Sequence, residues 1–128
     1  MLHDGHPRVL LVEDSPSNAL VYRSYLEEDY EVDVAHTGRD ALDYLGRRQY
    51  QALVTDVRLP DMTGLDILDH VQSDIPDLPV VVITAHGSVD MVVDDDRFFT
   101  ADAERVPDCR KLGEKPGLRV HYWREWHR

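Results

Sequence analysis

Three short apolar runs, each ending in a polar side chain, restrict what this chain can fold into more than any other feature. Val9-Leu10-Leu11-Val12 runs into Glu13-Asp14, Ala52-Leu53-Val54-Thr55 into Asp56, and Val80-Val81-Val82-Ile83 into Thr84. Short, uninterrupted, β-branched runs read as strands buried on both faces. Between them lie segments of helical period, so the pattern predicts an α/β domain with a doubly wound parallel sheet. Ligands of such sheets bind outside the carboxyl ends of the strands. Three carboxylates and a hydroxyl are therefore expected to meet there.

The intervening segments support this reading. Ser15 precedes Pro16 as a cap precedes the first helical residue, and Ala19, Tyr22 and Leu26 follow at helical spacing, predicting a helix over 16–28. Tyr30 to Ala35 alternates as an edge strand does. Thr37 with Asp40, and Thr63 with Asp66, have the spacing of capping boxes. They open a second helix with Ala41, Leu42 and Leu45 inward and a third with Leu65, Leu68 and Val71 inward. Pro60 and Gly64 punctuate the turn between Asp56 and the third helix, and Pro76 and Pro79 bracket the entry to the strand over 80–84.

Charge and composition narrow the function. The chain has 128 residues and a formal net charge of -11, which disfavours direct binding of nucleic acid and suits a divalent cation or a basic partner. Cys109 is the sole cysteine, which points to a reducing compartment, and no apolar run approaches a bilayer span. A cytoplasmic protein is expected. Residues 1–7 read as a leader outside the domain, and His3 and His6 there, like His121 and His127, make weak metal sites.

The chain changes character near residue 97. Residues 1–96 carry 6 Lys/Arg and 20 Asp/Glu, whereas 97–128 carry 8 and 5. Ser88 is placed to cap a helix with Met91 and Val92 inward, but Asp94-Asp95-Asp96 interrupts it. No clean fifth strand is legible over 100–119. Val120 and Trp123, with Trp126 or His127, have the spacing of a short terminal helix.

Glu13, Asp14 and Asp56 together form a site for a hard cation. Like carboxylates in close proximity repel and raise one another's pKa unless a cation neutralises them, and Mg²⁺ favours such oxygen donors.

These motifs, Val12-Glu13-Asp14-Ser15, Asp56 with Pro60-Asp61-Met62-Thr63-Gly64, and Ile83-Thr84-Ala85-His86-Gly87, resemble the receiver domain of two-component response regulators. The resemblance covers residues 8 to about 93 of a domain expected over 8–128. The wording around Pro60 and Thr84 is similar to receivers of sigma-54-dependent transcriptional activators, including quorum-sensing regulators. It implies a flavodoxin-like fold of strand order 2-1-3-4-5 and a phosphoacceptor at Asp56. It also implies Mg²⁺ held by Glu13, Asp14, Asp56 and the backbone carbonyl of Arg58, with Thr84 contacting the phosphoryl group. The implied donor is a histidine kinase or histidine phosphotransfer protein, and the implied outcome a switched surface controlling transcription. The resemblance implies a signalling domain with no enzymatic activity beyond its own phosphorylation and dephosphorylation.

The family pattern also calls for Lys-Pro after a fifth strand. At the usual interval from Thr84 stands Val106-Pro107, and the sole Lys-Pro is Lys115-Pro116, which makes Lys115 the candidate cation. An altered end of the chain, a divergent end that brings Lys115 into the pocket, and an inactive receiver all account for this. Without a fifth strand, Val80 to Ile83 would form a bare apolar edge that favours homodimers. The alternative function is a degenerate receiver acting as a phosphorylation-independent interaction module. A phosphohydrolase with an aspartate nucleophile is disfavoured, because Arg58 stands where its second acid would be.

Overall fold

The computed structural model describes residues 7–85, 98–99 and 118–123. Its elements follow in the order β1 (Arg8–Val12), α1 (Pro16–Leu26), β2 (Glu31–Ala35), α2 (Gly38–Arg47), β3 (Ala52–Asp56), α3 (Gly64–Asp74), β4 (Val80–Ala85), β5 (Phe98–Phe99) and β6 (Leu118–Trp123). The strands form one sheet in the order β2-β1-β3-β4-β6-β5. The pairs β1 with β2, β1 with β3 and β3 with β4 are parallel, which is the doubly wound, flavodoxin-like arrangement expected.

Alternation along the strands builds a core on each face. Leu10, Val12, Leu53, Val80 and Val82 face α2 and α3, where Ala41, Leu45, Ile67, Leu68 and Val71 meet them. Val9, Leu11, Val54, Val81 and Ile83 face the other way, towards Tyr22 and Leu26 of α1. The central strands are therefore apolar on both faces through Val9–Val12, Ala52–Val54 and Val80–Ile83, with Thr55 the buried polar exception in β3, and each fully buried Leu or Ile contributes about 1.5–3 kcal/mol. Leu42 and Leu65, expected inward, lie at the margin of the first core; Ile67 takes the buried position in α3.

Each helix starts where its cap predicts. The Ser15 side chain accepts from the Asn18 amide with Pro16 as the first helical residue, Thr37 accepts from Asp40, and Thr63 and Asp66 form a reciprocal capping box. The first helix stops at Leu26, two residues short of the expected end, as the amides of Asp29 and Tyr30 turn back to the Leu26 carbonyl.

The far edge differs from expectation. Leu118–Trp123 is a strand, not a terminal helix, and runs antiparallel to β4 with Val81 opposite Tyr122 and Thr84 opposite Arg119. The order beyond β4 is thus an antiparallel β6 and then β5, in place of one parallel fifth strand. The physical reason is that β4 is apolar and offers an open row of backbone donors and acceptors, which a strand of either direction satisfies. The period-two pattern Leu118, Val120, Tyr122 carries the strand signal that the helical spacing of Val120 and Trp123 hid. The bare edge at Val80–Ile83 is accordingly covered. The expected helix after Ser88, Cys109, Lys115, and the histidines at 3, 6 and 127 lie outside the described residues.

Candidate functional site

The carboxyl ends of β1 and β3 bring Glu13, Asp14 and Asp56 together. One carboxylate oxygen from each lies within 4.8 Å of the others. Glu13 is 2% exposed, Asp56 is half-buried and Asp14 is open to solvent. Asp56 ends β3 opposite Ile83 of β4, so Thr84 lies one residue beyond the register partner of Asp56. The sequence-predicted acids are thus assembled, and the backbone brings Thr84 to the same edge.

Glu13 is held by its surroundings on three sides. Its carboxylate accepts from the Ser15 amide at 3.0 Å, its own amide donates to the Ala35 carbonyl at 3.0 Å, and its carbonyl lies 3.0 Å from Nδ1 of His36. Burial first, then the neighbouring Asp56 charge, pushes the Glu13 carboxyl up to about 8 against the lowering effect of the Ser15 amide. Asp56 is also raised, by burial above all, although hydrogen bonds from Glu13 and from the amides of Arg58 and Val57 oppose this. Both shifts favour a proton held within the Glu13–Asp56 pair. The acid charges reach Tyr22 as well, whose hydroxyl is pushed up to about 12 by burial and then by Glu13 and Asp56.

The turn between β3 and α3 is closed on itself. The Leu59 amide donates to the Met62 carbonyl at 3.1 Å, Arg58 and Thr63 form an antiparallel bridge, and the Gly64 amide donates to the Val57 carbonyl at 2.7 Å. A side chain at Gly64 would put its Cβ 2.5 Å from the Asp56 carbonyl oxygen. Only glycine lets α3 start this close to Asp56. The tip of the turn reaches across to α2, where the Asp61 carboxylate accepts from the amides of Gly38 and Arg39, each at 2.9 Å. Those two bonds hold Asp61 below the usual carboxylate range. Nothing in the local sequence around Asp61 or His36 marks these contacts, since their partners lie 22 or more residues away.

An all-oxygen donor set with one buried acid fits a small hard divalent cation. A cation at this point would favour the ionised form of Glu13 and offset the mutual repulsion of the three acids. Among the described residues, no helix is long and apolar enough to cross a membrane.

Comparison with known proteins agrees with this geometry. Residues 9–104 match the family model described as response regulator receiver domain. Over 93 residues the chain is 46% identical to the regulatory protein LuxO of Vibrio cholerae, covering 72% of this chain and 20% of that protein. The chain thus spans about a fifth of the length of the curated relatives it matches first. The crystal structure of the signal receiver domain of a putative LuxO repressor protein from Vibrio parahaemolyticus is 43% identical, with a TM-score of 0.63 over 70% of this chain and 69% of that one. The response regulator TrrA of Thermotoga maritima, solved in complex with Mg²⁺ and BeF, is 28% identical with a TM-score of 0.56, over 58% of this chain and 65% of that one.

Proposed function

The chain belongs to the response regulator receiver domain family, and from that premise we propose that it is a phosphoacceptor switch in which Asp56 takes a phosphoryl group from a histidine kinase or phosphotransfer protein. The observation that carries the proposal is the meeting of Glu13, Asp14 and Asp56 at the carboxyl edge of the sheet, within 4.8 Å. The neighbouring Vibrio receiver supports the same placement of the fold.

Asp56 acts as the nucleophile. One of its carboxylate oxygens forms a bond to phosphorus as the bond from phosphorus to the donor's imidazole nitrogen, or to an acyl oxygen, breaks. The electron pair leaves with the donor. Mg²⁺, held by Glu13, Asp14, Asp56 and the Arg58 carbonyl, would neutralise charge on the transferring group. A cation held there would favour the ionised form of Glu13, and Ser15 and His36 keep that acid in place. Thr84 is assigned the phosphoryl contact, and a further positive charge would come from Lys115 or from Arg119, which the register sets opposite Thr84. The product is an aspartyl phosphate that changes an interaction surface, which in a LuxO-like regulator would control transcription. A cytoplasmic location suits this role.

Labelling with acetyl phosphate and Mg²⁺, read by intact mass, tests the proposal. Wild type gains one phosphoryl group and Asp56→Asn gains none. A folded wild-type protein that stays unlabelled would instead support a phosphorylation-independent interaction module.

A further inference from the structure

Asp61 is exposed and is not one of the clustered acids, yet both of its carboxylate oxygens are committed. Its partners are the first two amides of α2, which have no acceptor within their own helix. An anion at a helix start also interacts favourably with the helix dipole. These facts alone describe a helix cap. What distinguishes Asp61 is where the two joined segments lead.

On one side, the turn of residues 57–64 is closed by its own hydrogen bonds, with the Arg58 carbonyl three residues from Asp61. On the other, α2 follows directly from Ala35 and His36, the two residues that grip the Glu13 backbone at 3.0 Å each. Met62 packs against Gly38 beside the same joint. The contacts close a ring: Glu13 to Ala35 and His36, onward to Gly38 and Arg39, across to Asp61, back through the turn to Asp56, and so to Glu13. Asp61 is the link that closes it.

We infer that Asp61 is a positioning residue for the cation site, holding the turn so that the Arg58 carbonyl stays in register with Glu13, Asp14 and Asp56. The inference rests on the Mg²⁺ site proposed above. It assigns to an exposed side chain outside the donor set a share of the affinity for the metal.

Mg²⁺ titration by calorimetry on the full chain tests it, with Asp61→Ala and Asp61→Asn beside wild type. Loss of a group that orients metal ligands costs on the order of 10-fold in affinity. Asp61→Ala is expected to show that loss, and Asp61→Asn, which keeps one acceptor oxygen, an intermediate one. Amide hydrogen exchange of the metal-free proteins gives a second readout: protection falls at Gly38 and Arg39 and also at Leu59 and Gly64. Unchanged Mg²⁺ affinity, with protection lost only at Gly38 and Arg39, would overturn the inference and leave Asp61 as a cap for α2. Wild type that fails to bind Mg²⁺ would overturn the site reading itself and the inference with it, which is a separate outcome from a deficit confined to the variants.

Discussion

Replacing Glu13 by Gln is expected to stabilise the metal-free protein and to weaken its response to Mg²⁺. Gln has nearly the same volume and its carbonyl can still accept from the Ser15 amide, so the substitution removes charge and little else. The folded state holds the Glu13 carboxyl at about 8, against 4.5 when free. Because the folded value is the higher one, the folded state binds more protons between these limits and stability falls as pH rises through them. Below the lower limit the group is neutral in both states and Gln offers no advantage. At pH 7 the difference corresponds to about 3 kcal/mol if Glu13 carried all of it. Coupling to Asp56 reduces this, so about 1–3 kcal/mol is expected at pH 7 and somewhat more at pH 8, or roughly 1 M in the urea midpoint. Urea unfolding at pH 5 and pH 8 in chelator measures it. Saturating Mg²⁺ should reverse the order, since ligand at 100 times its Kd adds about 2.7 kcal/mol to whichever protein binds it. An advantage for Gln that is absent at pH 8, or equal at both pH values, would refute the reasoning.

Two further outcomes follow from the geometry. Gly64→Ala places a methyl group against backbone that cannot yield, 2.5 Å from the Asp56 carbonyl oxygen. A loss of roughly 1–3 kcal/mol in urea unfolding and slower phosphoryl uptake are expected, and wild-type stability would contradict the close approach. Arg119→Ala should slow labelling by acetyl phosphate several-fold, because the β4–β6 register sets Arg119 opposite Thr84. Equal rates for Arg119→Ala and wild type would remove Arg119 from the phosphoryl site.

The parts of this fold written in local sequence were legible, and the parts written in distant contacts were not. β1 and β3 contain the two apolar runs whole, each extended by one charged residue, Arg8 at the start of β1 and Asp56 at the end of β3, because an apolar run bounded by charge specifies a buried strand by itself. The same holds for the caps, whose partners lie three residues away. Asp61 is different, since its partners are 22 and 23 residues distant and nothing in Leu59-Pro60-Asp61-Met62 names them. Asp33 repeats the point: alternation marked it as the wet face of an edge strand, but it accepts from Tyr50 at 2.7 Å and from Arg48 at 3.1 Å, partners supplied by the loop beyond α2. The acid cluster escaped this limit because strand ends in a parallel sheet converge by topology, whatever joins them.

The reversed strand at the β4 edge changes which residues that edge can contribute. In a parallel fifth strand, the carboxyl edge of the sheet would receive the strand's last residues, and a cation for the site would have to follow the strand. β6 runs the other way, so the same edge receives its first residues, with Leu118 opposite Ala85 and Arg119 opposite Thr84. Val120 then falls opposite Ile83, which is itself the partner of Asp56. A cation placed before or at the start of the strand therefore occupies the level that one placed after a parallel strand would occupy. The interval from Thr84 to the expected Lys, which ends at Val106, presumes a parallel strand and loses its meaning once the direction is reversed. For the proposed phosphoryl group beside three acids, what matters is a positive charge at this level of the sheet, and chain direction decides only which end of the strand supplies it.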